Sequence, residues 1–221
     1  MSRIQYVPLG LLVVYLTLWS GLAWAPVDRP TWLLENILVF IAVPIIVFAH
    51  WRRPFSAVTS VLLFLFFCLH AVGSHFTYSL VPYDAWMEAL AGVRVSDVFG
   101  WERNHYDRLV HFGFGALLVY PLREVLRRWL AMPAAWSYAI PVALIMALSC
   151  LYELIEWGAA VVFGGDLGMS FLGTQGDVWD GHWDMGLATL GALLAMLWTT
   201  FVRALRRCEL QADQYLALEL R

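Results

Sequence analysis

Apolar residues run along this chain in six long blocks, at approximately 4–24, 33–50, 57–80, 107–122, 136–162 and 184–203. Runs of about 17 to 25 apolar residues are long enough to cross a hydrocarbon core about 30 Å thick. The blocks therefore predict an all-α fold, a polytopic membrane bundle of six transmembrane helices, with residues 1–221 forming a single transmembrane domain. Asp107, Arg108 and His111 interrupt the start of the fourth block, and Pro121 is expected to limit its far end. Ala23-Trp24-Ala25 has the shape of a signal cleavage site, but the preceding apolar run is long for a secretory signal, so the first block is read as a span.

Two connections are long, residues 81–106 and 163–183. In the first, Trp86, Met87 and Leu90 mixed with Asp84 and Glu88 predict a short helix lying in the membrane interface. The second carries Gly164, Gly165, Gly168, Gly173, Gly176 and Gly181 and reads as a shaped loop. There is no internal repeat and no low-complexity tract.

Composition agrees with a chain that lives in lipid. Of the 221 residues, 61% are hydrophobic and 14% charged, which excludes both a soluble globular fold and disorder. Twelve tryptophans fit the headgroup level. The 14 basic residues, all arginine, face 17 acidic ones, and the net charge of −3 gives no reason to expect a nucleic-acid partner. Arginine distribution sets the expected orientation, because positive loops stay cytoplasmic. With both termini cytoplasmic, ten of the fourteen fall inside: Arg3, Arg52, Arg53, Arg123, Arg127, Arg128, Arg203, Arg206, Arg207 and Arg221. Cys68 and Cys150 lie in predicted spans and Cys208 on the inner side, so no disulfide framework is implied.

The same topology collects the polar residues at one level. Thirteen of seventeen acids fall outside, leaving Glu124, Glu209, Asp213 and Glu219 within, and five of six histidines join them, His50 being the exception. His70, His75, Glu153 and Glu156 sit in the outer portions of their spans, within about 5 to 15 Å of the outer end. Glu35 and Asn36, Asp107 and His111, and Asp184 open the three inward-running spans. Buried charge within a span is expensive and marks a pathway, a site or a self-satisfying cluster.

Spacing refines this layer. Asp107 and His111 are four apart and Glu153 and Glu156 three apart, so each pair shares a helix face; Asp177, Asp180 and Asp184 align if the last span begins early. Carboxylates and imidazoles at this density suit a divalent metal such as zinc, or manganese where oxygen ligands dominate. Asp107, His111, Asp180 and Asp184, with His75, are the candidate metal ligands. Glu153 and Glu156 are the candidate general acid and base. Arg108, Asn104, His105, Asp177 and Gln175 complete the layer as candidate substrate-binding groups. Simpler readings also exist: His70 as a hydrogen-bonded interhelical histidine, and Arg108 with Asp107 as an ion pair closing a helix end.

The strings WERNHYDRLVHFGFG at 101–115, YELIEW at 152–157 and FLGTQGDVWDGHWDM at 171–185 resemble the YjdF-like bacterial inner-membrane family of unknown function. The resemblance spans most of the chain and implies a polytopic protein of the bacterial inner (cytoplasmic) membrane. More distantly, Asp107, Arg108 and His111, then Glu153, then Asp184 with Gly191 resemble the pattern of the VanZ-like membrane proteins. Ala188 stands where that group tends to have Asn, and Asp177 near where it tends to have Arg. This second resemblance implies envelope or lipid-linked chemistry only in outline.

Three functions fit these residues. The leading one is a metal-dependent, membrane-embedded hydrolase acting on a lipid or lipid-linked envelope substrate, although no local ligand motif such as H-E-x-x-H is present. A structural or accessory membrane subunit is the alternative. A proton-coupled transporter ranks behind both, since the inner halves of the spans are nearly pure hydrocarbon and no inverted repeat is evident.

Overall fold

The computed structural model describes the backbone of residues 3–219 and the side chains of residues 7–205. The side chains of Arg3, Arg206, Arg207, Cys208, Glu209, Asp213, Glu219 and Arg221, to which the expected orientation assigns an inner position, lie outside the described residues.

Nine helices and no strand are found among the described residues: α1 (Arg3–Trp24), α2 (Arg29–Arg52), α3 (Ala57–His75), α4 (Tyr83–Ala91), α5 (Val95–Phe99), α6 (Tyr106–Trp129), α7 (Trp136–Phe163), α8 (Gly165–Leu172) and α9 (Asp180–Glu219). Six of them, α1, α2, α3, α6, α7 and α9, are long and apolar enough to span a membrane. Local chemistry sets their starts. Asp28 accepts from the Thr31 backbone N–H at 2.7 Å ahead of α2, with Pro30 in its first turn. Ser56 accepts from the Thr59 backbone N–H at 3.2 Å ahead of α3.

Among the differences from the elements the sequence predicts, three shape the bundle. The third helix stops at His75 instead of continuing to 80, because Thr77 and Tyr78 take positive φ angles of 50° and 55° and turn the chain back. The Tyr78 ring then lies on Gly73, where any Cβ would collide with it. Pro121 does not end the fourth span, and α6 continues to Trp129. In a packed membrane helix, neighbouring helices compensate the backbone group that proline frees. Residues 165–172, within the glycine-rich stretch read as a loop, form α8; Gly164 (φ 60°) and Gly173 (φ 64°) bound it, and Gly168 lets its backbone approach the Ala160 carbonyl of α7. The short helix expected around Trp86 is present as α4.

The frame of the molecule is the α6–α9 pair. A Cβ on Gly115 would strike the Ala188 carbonyl, and one on Gly191 would strike the Phe112 carbonyl, so the two backbones meet directly through small residues. Both helices start at the same end of the bundle and run in parallel. Against them α7 completes a core of Val119, Val142, Ile145, Ala188, Ala192 and Met196. A second cluster, Tyr15, Val39 and Ala71, joins α1, α2 and α3. At the arginine-rich end Glu124 accepts from the Ser56 N–H (2.9 Å) and hydroxyl (2.6 Å), the Thr59 hydroxyl (2.5 Å) and Arg128 (2.5 Å), tying α3 to α6.

Candidate functional site

At the opposite end, the register set by the glycines brings the first turns of α6 beside those of α9. Asp107, His111 and Asp184 each offer one ligand atom, and these atoms lie within 4.8 Å of one another. His111 is the centre: its Nε2 is 3.6 Å from Asp107 Oδ1 and 3.8 Å from Glu153 Oε1. Glu153 comes from α7, and its other oxygen packs against Gly181, where a Cβ would lie 2.6 Å from it. His111 and Asp184 are buried, Asp184 at 2% exposure. Two buried carboxylate oxygens of these residues, Glu153 Oε1 and Asp184 Oδ1, have no hydrogen-bond partner. An unpartnered buried carboxylate oxygen is costly unless it holds a proton or a cation.

Of the residues proposed from the sequence as ligands, Asp180 and His75 do not join this group. Asp180, although 3% exposed, is held by Arg103 at 2.5 Å and faces Arg108 at 3.6 Å. His75, at the end of α3, sets its Nδ1 2.8 Å from the Leu22 carbonyl, between α3 and α1. Glu156 is buried on α7, with Asp107, Glu153, Glu35 and Asp184 as its charged neighbours.

The candidate substrate-binding groups are engaged with one another. Arg108 turns away from Asp107 and donates to Asp177 at 2.5 Å, while Arg103 lies 3.7 Å from Asp177, so two arginines and two aspartates form a closed lattice. The guanidinium of Arg108 also sits 5.6 Å from the Trp183 ring. Asn104 and Gln175 clasp the two loops: the Asn104 N–H donates to Gln175 Oε1 at 3.1 Å, and Gln175 Nε2 donates to the Asn104 carbonyl at 2.9 Å. His105 stacks on Trp101 with ring centroids 4.3 Å apart and takes an Arg108 contact on Nδ1 at 3.4 Å. Burial first, then the charges of Arg108 and Arg103, push the His105 imidazole below its ordinary pKa. The Asp177 carboxyl is held below the usual carboxylate range, first by the Trp179 backbone N–H and then by Arg108 and Arg103.

Several neighbours were not in the sequence-based set. Arg103, the main partner of Asp180, stands in the 101–115 string and could have been paired by its charge alone. Tyr152 donates to Glu35 Oε2 at 3.2 Å and meets the His111 ring edge to face at 5.9 Å. Tyr78, in the turn that follows α3, and His70 share a 2.5 Å hydrogen bond, which ties His70 to the end of its own helix, while its Nε2 has no hydrogen-bond partner.

Beside the cluster, a cavity of about 460 Å³ opens between α2, α3, α6 and α7. Its polar end is made by Glu35, His70, Asp107 and His111, and the rest of its wall is almost entirely apolar.

The family model described as Predicted membrane protein (DUF2238) matches residues 7–205. The inner membrane protein YjdF of Escherichia coli (strain K12) is 37% identical over 183 residues, which cover 81% of this chain and 83% of that protein. No solved structure matches.

Proposed function

This chain belongs to the membrane-protein family DUF2238, and from that premise we propose that it is a multi-pass inner-membrane hydrolase, metal-dependent and acting on a lipid or lipid-linked substrate. The observation that carries the reading is the meeting of Asp107, His111 and Asp184 within 4.8 Å, beside unpartnered carboxylate oxygens on Asp184 and Glu153. Two carboxylates and one imidazole are a donor set suited to zinc or manganese.

Asp107, His111 and Asp184 would hold a divalent ion, which would supply Lewis-acid chemistry and make water easier to deprotonate near neutrality. Glu153, whose Oε1 lies 3.8 Å from His111 Nε2, would take the proton of the attacking water. The water oxygen then bonds to the electrophilic carbon or phosphorus of the headgroup ester, the ester bond to the leaving oxygen breaks, and the proton returns to that oxygen. Glu156, buried behind Glu153, is a reserve for the same proton. In this reading Arg103, Arg108, Asp177 and Asp180 position the α9 start. The distribution of Arg52, Arg53, Arg123, Arg127, Arg128 and Arg203 at the other end supports a site that faces away from the cytoplasm.

An accessory-subunit role is favoured by one observation, the exposed apolar side chains Val178, Trp179, Phe99 and Leu90 at the loop end. Elemental analysis of the detergent-purified protein, prepared without chelator, separates the two. Stoichiometric zinc or manganese, lost in an Asp107→Ala and His111→Ala variant that still accumulates in the membrane, is the expected result. Metal-free wild type overturns the hydrolase reading.

A further inference from the structure

The way α2 is attached to the bundle is unusual for a membrane helix. All of its buried residues, Thr31, Trp32, Glu35, Asn36 and Val39, lie in its first three turns. There it is anchored by Trp19 donating to Asn36 at 2.7 Å and by Tyr152 donating to Glu35. Beyond Val39 no residue is fully buried: Ala42, Val43, Ile46 and Ala49 on one face are half-buried, and Phe40, Ile41, Ile45, Val47 and Phe48 are exposed. A helix packed along its length fully buries a stripe at three- and four-residue spacing, and here the stripe of Ala42, Val43, Ile46 and Ala49 is only half covered. Its far end is tied again through the connection to α3, where His50 Nδ1 accepts from the Phe55 N–H at 3.2 Å. The helix is therefore a strut fixed at both ends, and the 460 Å³ cavity is the space behind its middle.

That space has a definite shape and chemistry. It follows α2 from Glu35 to Ile46, eleven residue steps or about 16 Å at the helical rise. One leaflet of a hydrocarbon core about 30 Å thick has nearly the same depth. Ala42, Ile45, Leu63, Phe66, Phe114 and Leu118 line it, and such a wall gives water too few hydrogen bonds to fill it stably. An empty cavity forfeits dispersion contacts on every side. At this depth the surrounding apolar material is lipid hydrocarbon.

We infer that the slot behind α2 receives one hydrocarbon chain of a membrane lipid, admitted sideways past α2, so that the lipid headgroup comes to rest at Asp107 and His111. This identifies the substrate's anchor and rests on the hydrolase reading of the site.

The test uses full-length protein in nanodiscs of phosphatidylethanolamine containing phosphatidylglycerol with a diazirine at mid-chain. After irradiation, cross-linked peptides are mapped by mass spectrometry. Labels on Phe114 and Leu118, inside the slot, are expected alongside those on the lipid-facing Val13 and Leu193. Ala42→Trp, which fills the slot, should lower the interior labels at least tenfold and leave the outer ones unchanged; Ile45→Trp gives the same reading should the first variant fail to accumulate. Interior labels absent from wild type, or undiminished in a folded Trp variant, overturn the slot. Asp184→Asn keeps the two ideas apart, since it should lose metal yet retain interior labelling. Wild type that binds metal without interior labels defeats the slot alone, and wild type labelled inside but free of metal defeats the hydrolase reading alone.

Discussion

Gly115 of α6 lies against the backbone carbonyl of Ala188 in α9 so closely that even a methyl group cannot be placed between them. This contact stands one turn from His111 and one turn from Asp184, so it fixes the distance across which those two side chains face each other.

Gly115→Val should therefore act on the cluster without touching it. Overpacking of this kind costs about 1–3 kcal/mol, and the melting temperature in detergent should fall together with metal content. A variant that melts lower yet keeps its metal would show that the α6–α9 register does not govern the site.

Removing Arg103 leaves Asp180, 3% exposed, without its nearest counter-charge. Breaking a buried pair from one side costs about 3 kcal/mol or more. Arg103→Ala should be strongly destabilised, and Arg103→Ala combined with Asp180→Ala should recover part of the loss. Additive losses in the double variant would mean that the two side chains are not coupled.

The depressed pKa of Asp177 fixes the sign of an acid effect. Because its folded value lies below the unfolded one of about 3.9, its contribution is complete above that pH and is lost as pH falls through the folded value. The gap in melting temperature between wild type and Asp177→Asn should be flat from neutrality down to about pH 5 and shrink in stronger acid. A gap that widens on acidification contradicts the Arg108 and Trp179 contacts as its cause.

Orientation can be read directly by impermeant maleimide on intact cells, after Cys68, Cys150 and Cys208 are replaced by Ser. Val178→Cys, exposed beside the cluster, should label, and Leu130→Cys, exposed at the arginine-rich end, should not. The reverse pattern would place the acidic end in the cytoplasm.

Much of the frame was readable from the sequence because hydrocarbon thickness leaves few ways to arrange six apolar runs. The gathering of Asp107, His111, Glu153 and Asp184 was also legible, since each sits where its span meets the polar level. What spacing could not supply was partner choice. Asp180 and Asp184 stand one turn apart on α9, yet an arginine from another loop takes the first, while the second remains unpartnered. The helix at 165–172 was hidden by its glycines, whose low helix propensity is outweighed by Gly168 packing on Ala160. Tyr78 reached His70 only through a turn with positive φ, which nothing in its neighbours announces.

The three helices α2, α6 and α9 all begin at the acidic end of the bundle. Each helix start carries roughly half a positive elementary charge from its aligned peptide dipoles. The backbone itself thus adds positive potential at the starts of α6 and α9, close to Asp107 and Asp184, over and above any arginine. Substitutions that leave these helix starts intact should keep this backbone contribution even when individual side chains are lost.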